Sequence, residues 1–166
     1  MTVPVAPGLW QARAMDSGNI PSGLTPKLVD SLYVEAMLLA DEARAYFDRH
    51  GRADRSGLDP LLRVGFSCES LKVTTRLMHV IAWLLTQRAV AAGELSVGQA
   101  RRPERRLGQA SQTDEALLPA LPEAAQALIL ASRDLYARVE RLDRGGETGE
   151  RASPARSLLS RLERAF

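Results

Sequence analysis

The amino-acid sequence predicts an all-α fold: an antiparallel three-helix bundle with a long second helix, a flexible N-terminal arm, a loop over 93–121 and a C-terminal tail. Apolar residues recur every three or four positions through three long segments, which is the period of amphipathic helices. Thr25-Pro26 and Asp59-Pro60 each combine a capping side chain with a proline at the first helical position. No segment shows the strict alternation of apolar and polar residues that indicates a strand.

The chain of 166 residues is long enough for one domain, and we divide it into three parts. Residues 1–24 are rich in proline and glycine without helical periodicity, so we expect a flexible arm. Residues 25–144 form the three-helix bundle. Residues 145–166 form a linker and a short amphipathic C-terminal helix that begins at Ser153-Pro154.

Each long helix has a start and a stop signal. The first is expected over 26–50, where His50-Gly51 supplies a C-terminal cap. The second runs from Pro60 to the stop at Gly93, about 33 residues or roughly 50 Å. The third begins at Pro122 and stops at Gly145-Gly146. The connection over 93–121 is expected to be mobile, with one short helix near 95–101.

The second helix is apolar on almost every side between Leu77 and Leu85. Two partner helices of the same chain cover only part of its circumference, so the pattern predicts a contact with a second copy of the chain. We expect this region to form core or a homodimer interface; its residues are Met78, Ile81, Trp83 and Leu85. A polar stripe on the same helix is expected to face solvent; it contains Glu69, Lys72, Arg76 and His79.

The formal net charge is only +2, from 22 basic and 20 acidic residues, which is too balanced for a dedicated nucleic-acid-binding protein. The basic residues are nevertheless concentrated in one loop, at Arg101, Arg102, Arg105 and Arg106. This arginine loop is a candidate site for an acidic protein partner, since guanidinium groups pair well with carboxylates. The alternatives are an exposed loop whose charges compensate one another, and a phosphate-binding loop.

The side chains that catalysis or metal binding requires are scarce. Cys68 and His79 are separated by 11 positions on one predicted helix, or roughly 16 Å, whereas a nucleophile and its base need about 3 Å. We therefore expect Cys68 to be a small core residue. The chain has no Glu-x-x-His pair for a helical metal site and no phosphate-binding glycine loop. We expect no enzymatic activity, no cofactor and no metal.

Location can also be estimated from the sequence. No apolar run approaches the ~18 residues of a membrane span, and the first 20 residues lack the pattern of a secretory signal. A single cysteine fits a reducing compartment. These observations predict a cytoplasmic protein.

Two long segments resemble a known family. They are LYVEAMLLADEARAYFD at Leu32–Asp48 and ESLKVTTRLMHVIAWLLTQRAVAAGEL at Glu69–Leu95, and both resemble the RcdA family, the regulators of CtrA degradation of alphaproteobacteria. The resemblance implies a dimeric three-helix bundle without catalytic residues. It also implies an adaptor that carries cell-cycle regulators or other adaptors to the ClpXP protease. The N-terminal arm, the loop over 96–121 and the C-terminal tail lie outside this resemblance.

We therefore expect a cytoplasmic adaptor of regulated proteolysis, with the cell pole as one location to consider. One partner would bind the bundle, and another would bind either the arginine loop or a hydrophobic peptide formed by Leu158, Leu159, Leu162 and Phe166. The main alternative is a transcription-associated module that binds DNA through the arginine loop. A small-molecule sensor with a pocket between helices is a further alternative.

Overall fold

A computed structural model describes residues 24–151, with the side chains of residues 24–146. Three long helices dominate it: α1 (Pro26–Ala45), α3 (Pro60–Ala91) and α5 (Glu123–Arg151). Two short helices, α2 (Gly51–Ser56) and α4 (Val97–Ala100), lie in the connections. Residues 24–151 contain no strand, so the all-α prediction is confirmed. The predicted arm, apart from residue 24, and the predicted C-terminal helix lie outside the described residues.

The start signals of α1 and α3 act as predicted. Thr25 Oγ1 accepts a hydrogen bond from the Leu28 N–H at 3.2 Å, and Asp59 Oδ1 accepts one from the Leu62 N–H at 2.9 Å. Each side chain thereby satisfies one of the N–H groups that have no partner within the helix. The predicted stop at Gly93 is also confirmed, because Gly93 has φ +75° two residues after α3 ends.

The predicted end of the first helix is wrong. After Ala45 the chain continues through a π-helical turn over Tyr46–His50 and then through α2. Gly51 has φ −72° and is therefore no left-handed cap. A Cβ atom at this position would lie 3.1 Å from Phe66 Cζ, so the glycine serves the close approach of an aromatic ring.

The predicted end of the third helix is also wrong, since α5 continues through Gly145-Gly146 to Arg151. Tertiary contacts support this end of the helix: Arg106 binds Asp143, and Arg101 donates to the Gly146 carbonyl at 3.3 Å. Residues 145–151 are therefore helix and not the predicted linker. Two glycines cost a helix about 2 kcal/mol relative to alanine, which packing contacts of this kind can offset.

The helix directions agree with the antiparallel prediction for α1 and α3 but not for α3 and α5. α1 runs antiparallel to α3, because Arg88 pairs with Asp30 at 3.1 Å at one end and the Phe66 and Phe47 rings lie 5.4 Å apart at the other. However, α3 and α5 run in the same direction: Arg76 contacts Ser132 and, two turns later, Trp83 contacts Asp143. The chain must therefore return along the length of the bundle before α5 begins.

Residues 106–117, the crossover segment, make this return. Arg106 pairs with Asp143, Gly108 packs on the His79 ring, Thr113 contacts Arg76, and Leu117 packs against Gly65 near the start of α3. The segment lies between α3 and α5, so the expected mobile loop is instead packed onto the bundle. The short helix expected near 95–101 is confirmed as α4, which begins with a capping box formed by Ser96 and Gln99.

The hydrophobic core lies where the three long helices meet. Nearly all of its fully buried side chains come from one face of each helix, and the largest are Val73, Val80, Leu84, Ile129, Leu135 and Val139. Leucines of the connection pack against this core at Leu107, Leu117, Leu118 and Leu121. The connection after α3 is therefore part of the structural unit rather than an appendage.

Candidate functional site

The first candidate site is an exposed apolar face on α3. Leu71 is 68% exposed, Met78 is 65% exposed and Leu85 is 47% exposed, at helical spacings of seven residues. Ile81 is partly buried beside them. Monomeric proteins seldom expose a continuous apolar stripe of this kind unless it binds something.

Helix α1 extends this face. Its residues Met37 and Val34 are exposed, and the Asp30–Arg88 pair fixes α1 alongside this part of α3. The Arg88 guanidinium also lies 4.7 Å from the centre of the Tyr33 ring. We call the combined surface the α1/α3 face; its exposed apolar residues are Val34, Met37, Leu71, Met78 and Leu85.

The four residues predicted as core or interface differ in their exposure to solvent. Met78 and Leu85 are exposed, Ile81 is partly buried, and Trp83 is 3% exposed. Of the two alternatives given for Trp83, the structure supports the core, since this chain buries the side chain and Asp143 accepts its indole N–H at 2.8 Å. Cys68 is exposed, which contradicts its expected place in the core.

The second candidate site is a polar cluster beneath the crossover segment. Arg76 donates to Thr113 Oγ1 at 2.7 Å, to the Ser111 carbonyl at 3.0 Å and to Ser132 Oγ at 3.3 Å. Glu69 accepts from Lys72 Nζ at 2.7 Å and from the Asp114 N–H at 3.1 Å. The cluster ties the crossover segment to α3 and α5.

Burial shows that this cluster is structural. Glu69 is 1% exposed and Arg76 is 3% exposed, so the prediction of a solvated polar stripe is wrong. Burial lowers the pKa of Arg76, and the nearby Glu69 carboxylate partly opposes that change. The guanidinium nevertheless remains a cation, because the ordinary pKa of arginine is so high. A buried charge of this kind requires partners, and the crossover segment supplies them.

The third candidate site is the arginine loop, which lies at the end of the bundle where α5 projects. The Arg106 guanidinium donates two hydrogen bonds to the Asp143 carboxylate, from Nε to Oδ1 at 2.8 Å and from Nη2 to Oδ2 at 3.0 Å. Arg101 contacts the α5 backbone at Gly146, Arg102 is exposed, and Arg105 is partly buried. The structure thus brings the four predicted arginines to one place but gives them different surroundings.

Among residues 24–146, no group of three or more His, Cys, Asp or Glu side chains could hold a metal ion. No helix within the described range is long and apolar enough to cross a membrane. His79 packs beneath Gly108 rather than near Cys68, which lies on the exposed side of α3. The candidate hydrophobic peptide formed by Leu158, Leu159, Leu162 and Phe166 lies outside the described residues.

Sequence reasoning missed Asp143, whose carboxylate joins α3, the arginine loop and α5. Its sequence context is that of an ordinary charged residue near a helix end, and only its position beside Trp83 and Arg106 gives it a role. The sequence gives only a weak indication that Glu69 and Arg76 are buried. The two opposite charges are seven positions apart and therefore lie on one side of a long, otherwise apolar helix.

Comparisons with known proteins found a matching family and a similar solved structure. A family described as "Protein of unknown function (DUF1465)" matches residues 20–166. The crystal structure of RcdA from Caulobacter crescentus CB15 is similar at 35% sequence identity and a TM-score of 0.61, over 75% of this chain and 95% of that chain. No curated protein sequence matches the chain.

Proposed function

This chain belongs to the RcdA family, and from that premise we propose that it is a non-enzymatic adaptor of regulated proteolysis. It would bring cell-cycle regulators or other adaptors to the ClpXP protease in the cytoplasm, with the cell pole as the place to look first. The observation that carries the proposal is the 35% identity over 95% of the RcdA chain. The exposed apolar α1/α3 face and the arginine loop support it as surfaces for binding other proteins. A DNA-binding role is not favoured, because the formal net charge of the chain is only +2.

An adaptor works by holding two molecules together, which raises the local concentration of the substrate at the protease without any chemistry. We propose that acidic partners bind at the arginine loop formed by Arg101, Arg102, Arg105 and Arg106, in which Arg106 holds the loop to Asp143. Leu158, Leu159, Leu162 and Phe166 would act as a separate hydrophobic docking peptide, consistent with their spacing in the sequence.

Degradation measured with purified components tests the adaptor role. ClpXP, its accessory factors and candidate substrates are incubated with and without this protein, and the loss of each substrate is followed by gel densitometry. We expect at least one substrate to be degraded faster when the protein is present. The same rate for every candidate, with and without the protein, would refute the adaptor role.

We also propose that the α1/α3 face forms a homodimer. The exposed Leu61 and Val64 extend the α3 side of this face toward the start of the helix. The stripe from Leu61 to Leu85 is about 36 Å long at 1.5 Å per residue, and two adjacent helices are roughly 20 Å wide. Their product, about 700 Å², is close to the ~800 Å² per partner of a standard stable interface. The exposed residues are apolar along most of this length, so a second copy would remove a substantial apolar surface from water.

The dimer is tested by one substitution and a matched control. Met78→Glu places a charge in the middle of the proposed interface, whereas Leu130→Glu places one at a similarly exposed apolar position on α5. We expect sedimentation to give a dimer for the wild type and for Leu130→Glu, but an 18.1 kDa monomer for Met78→Glu. Both variants should keep their helical circular dichroism. A dimeric Met78→Glu variant, or a monomeric wild type at micromolar concentration, would contradict this interface.

A further inference from the structure

The arginine loop contains two kinds of arginine, which differ in what their guanidinium groups contact. Arg106 is held by Asp143 through three hydrogen bonds: two to the carboxylate and one, at 3.2 Å, to the backbone carbonyl. The Asp143 side chain is only 11% exposed, and the same carboxylate accepts the Trp83 indole N–H. Arg106 is therefore part of the attachment between the loop and the bundle.

Arg105 differs from its neighbour. Its Nη1 atom is buried, yet no described residue accepts a hydrogen bond from it. The Nη1 atom is closed to solvent, but the Arg105 side chain as a whole is partly exposed, so an anionic ligand can approach its other donors. Arg102, three positions earlier, is exposed on the same loop. The loop thus presents a partly exposed guanidinium group at Arg105 beside an exposed one at Arg102.

The carboxylate at Asp143 fixes the position of this pair. It lies where α3, α5 and the loop meet, and Arg101 adds a second attachment at the Gly146 carbonyl. A loop held on both sides of Arg102 and Arg105 loses little conformational freedom when it binds a ligand, so less of the binding energy is spent on ordering it.

We infer that Arg102 and Arg105 bind carboxylate side chains of an acidic peptide segment in a partner protein, and that Asp143 is the residue that positions them through Arg106. The inference rests on the proposed adaptor function and specifies which arginines its acidic partner contacts. A peptide is favoured over nucleic acid because the short loop offers two guanidinium groups, whereas duplex DNA is bound by many phosphate contacts along its length.

A positioning role for Asp143 and simple electrostatic attraction predict opposite effects of Asp143→Asn on peptide binding. Asp143→Asn removes a negative charge close to the loop, so a general attraction of anions would become stronger. If Asp143 instead positions the loop, this substitution weakens binding. Glu140→Gln is the matched control: it also removes one negative charge from α5, but its carboxylate pairs with Arg144 on the surface and not with the loop.

The test measures fluorescence anisotropy of a fluorescein-labelled peptide of alternating Glu and Ser with the full-length protein at low ionic strength. We expect Arg105→Gln, Arg102→Gln and Asp143→Asn each to weaken binding by about fivefold or more. Glu140→Gln and Arg52→Gln, an exposed arginine of α2 near the other end of the bundle, should change it less than twofold. Amide hydrogen exchange of residues 101–108 should be faster in Asp143→Asn than in the wild type.

The outcomes separate the two proposals. If the wild type does not bind the Glu-Ser peptide, the acidic-partner part of the proposed function fails, and this inference fails with it. If the wild type binds but Asp143→Asn binds equally or more tightly, only the positioning role is overturned. Tighter binding of a labelled DNA duplex than of the peptide would overturn the choice of a carboxylate partner. Should Asp143→Asn melt below the assay temperature, Arg106→Lys, which keeps the charge but not the paired geometry, replaces it with the same expected weakening.

Discussion

Replacing Arg76 by alanine tests whether the buried polar cluster holds the crossover segment in place. The side chain donates hydrogen bonds to Thr113, Ser111 and Ser132, and it is 3% exposed. Its loss leaves three acceptors without their donor and removes one of the two cations beside the buried Glu69 carboxylate. Breaking a buried charged cluster by removing one member costs about 3–5 kcal/mol, so we expect the free energy of unfolding to fall by about 4 kcal/mol.

Urea unfolding followed by circular dichroism, at one fixed protein concentration, measures this loss. Amide hydrogen exchange locates it, and the protection of residues 111–114 should decrease more than that of α1. Arg44→Ala is the control, because Arg44 pairs with Asp48 on the exposed surface of the bundle and its loss should cost less than about 1 kcal/mol. A loss below about 1 kcal/mol for Arg76→Ala, with unchanged exchange at residues 111–114, would refute the structural role of the cluster.

A double-mutant cycle extends the test to Glu69. Glu69→Met and Arg76→Met each leave one buried charge without the opposite charge near it, whereas the double variant removes both charges. We therefore expect the double variant to lose at least about 1 kcal/mol less than the sum of the two single losses. Additive losses would show that Glu69 and Arg76 act independently.

Three further predictions concern the crossover segment and the core. Gly108→Ala should destabilise the fold by about 1–3 kcal/mol, because the new Cβ would lie 2.8 Å from the His79 ring. Gly98→Ala is the control: its Cβ would meet only Ser96 Oγ, at 4.0 Å, so it should be neutral or stabilising in thermal melts. Burial raises the pKa of Tyr136, so the unfolded state loses the phenolic proton at a lower pH than the folded state does. The free energy of unfolding should therefore fall as the pH rises above about 10. In urea titrations at pH 9 to 11, Tyr136→Phe should reduce the dependence of that free energy on pH. Trp83→Glu should abolish the cooperative melting transition, since it buries an unpaired charge beside a carboxylate, and a wild-type melting curve would contradict its place in the core.

Local sequence signals were sufficient for most of the helix positions. Capping pairs such as Thr25-Pro26 act over a few residues, so they work in the same way whatever the rest of the chain does. The stop at Gly93 was predictable for the same reason, because a positive φ angle is a local property. Gly51 was misjudged because the close approach of Phe66, and not a left-handed conformation, requires the glycine. The stop at Gly145 was misjudged because contacts from Arg101 and Arg106 support this end of α5.

The candidate site was only partly predictable. The clustering of arginines at 101–106 is visible in the sequence, and so is the apolar spacing of Leu71, Met78 and Leu85. What each residue contacts is not visible: periodicity predicts that α3 has several apolar sides but cannot say which side the rest of the chain covers. The role of Asp143 depends on residues 60 and 37 positions away in the chain.

By itself, the sequence determined that this chain is helical, where its long helices begin, and which family it resembles, because these depend on local propensity and on the identity of long uninterrupted segments. Only the tertiary structure decided that α3 and α5 run in the same direction. The chain between them must then return along α3, where it buries Glu69 and Arg76, supplies their partners and leaves Met78 exposed. The physical reason is that a buried charge needs a partner but does not specify which one, and distant segments can meet that need only once the helices have packed.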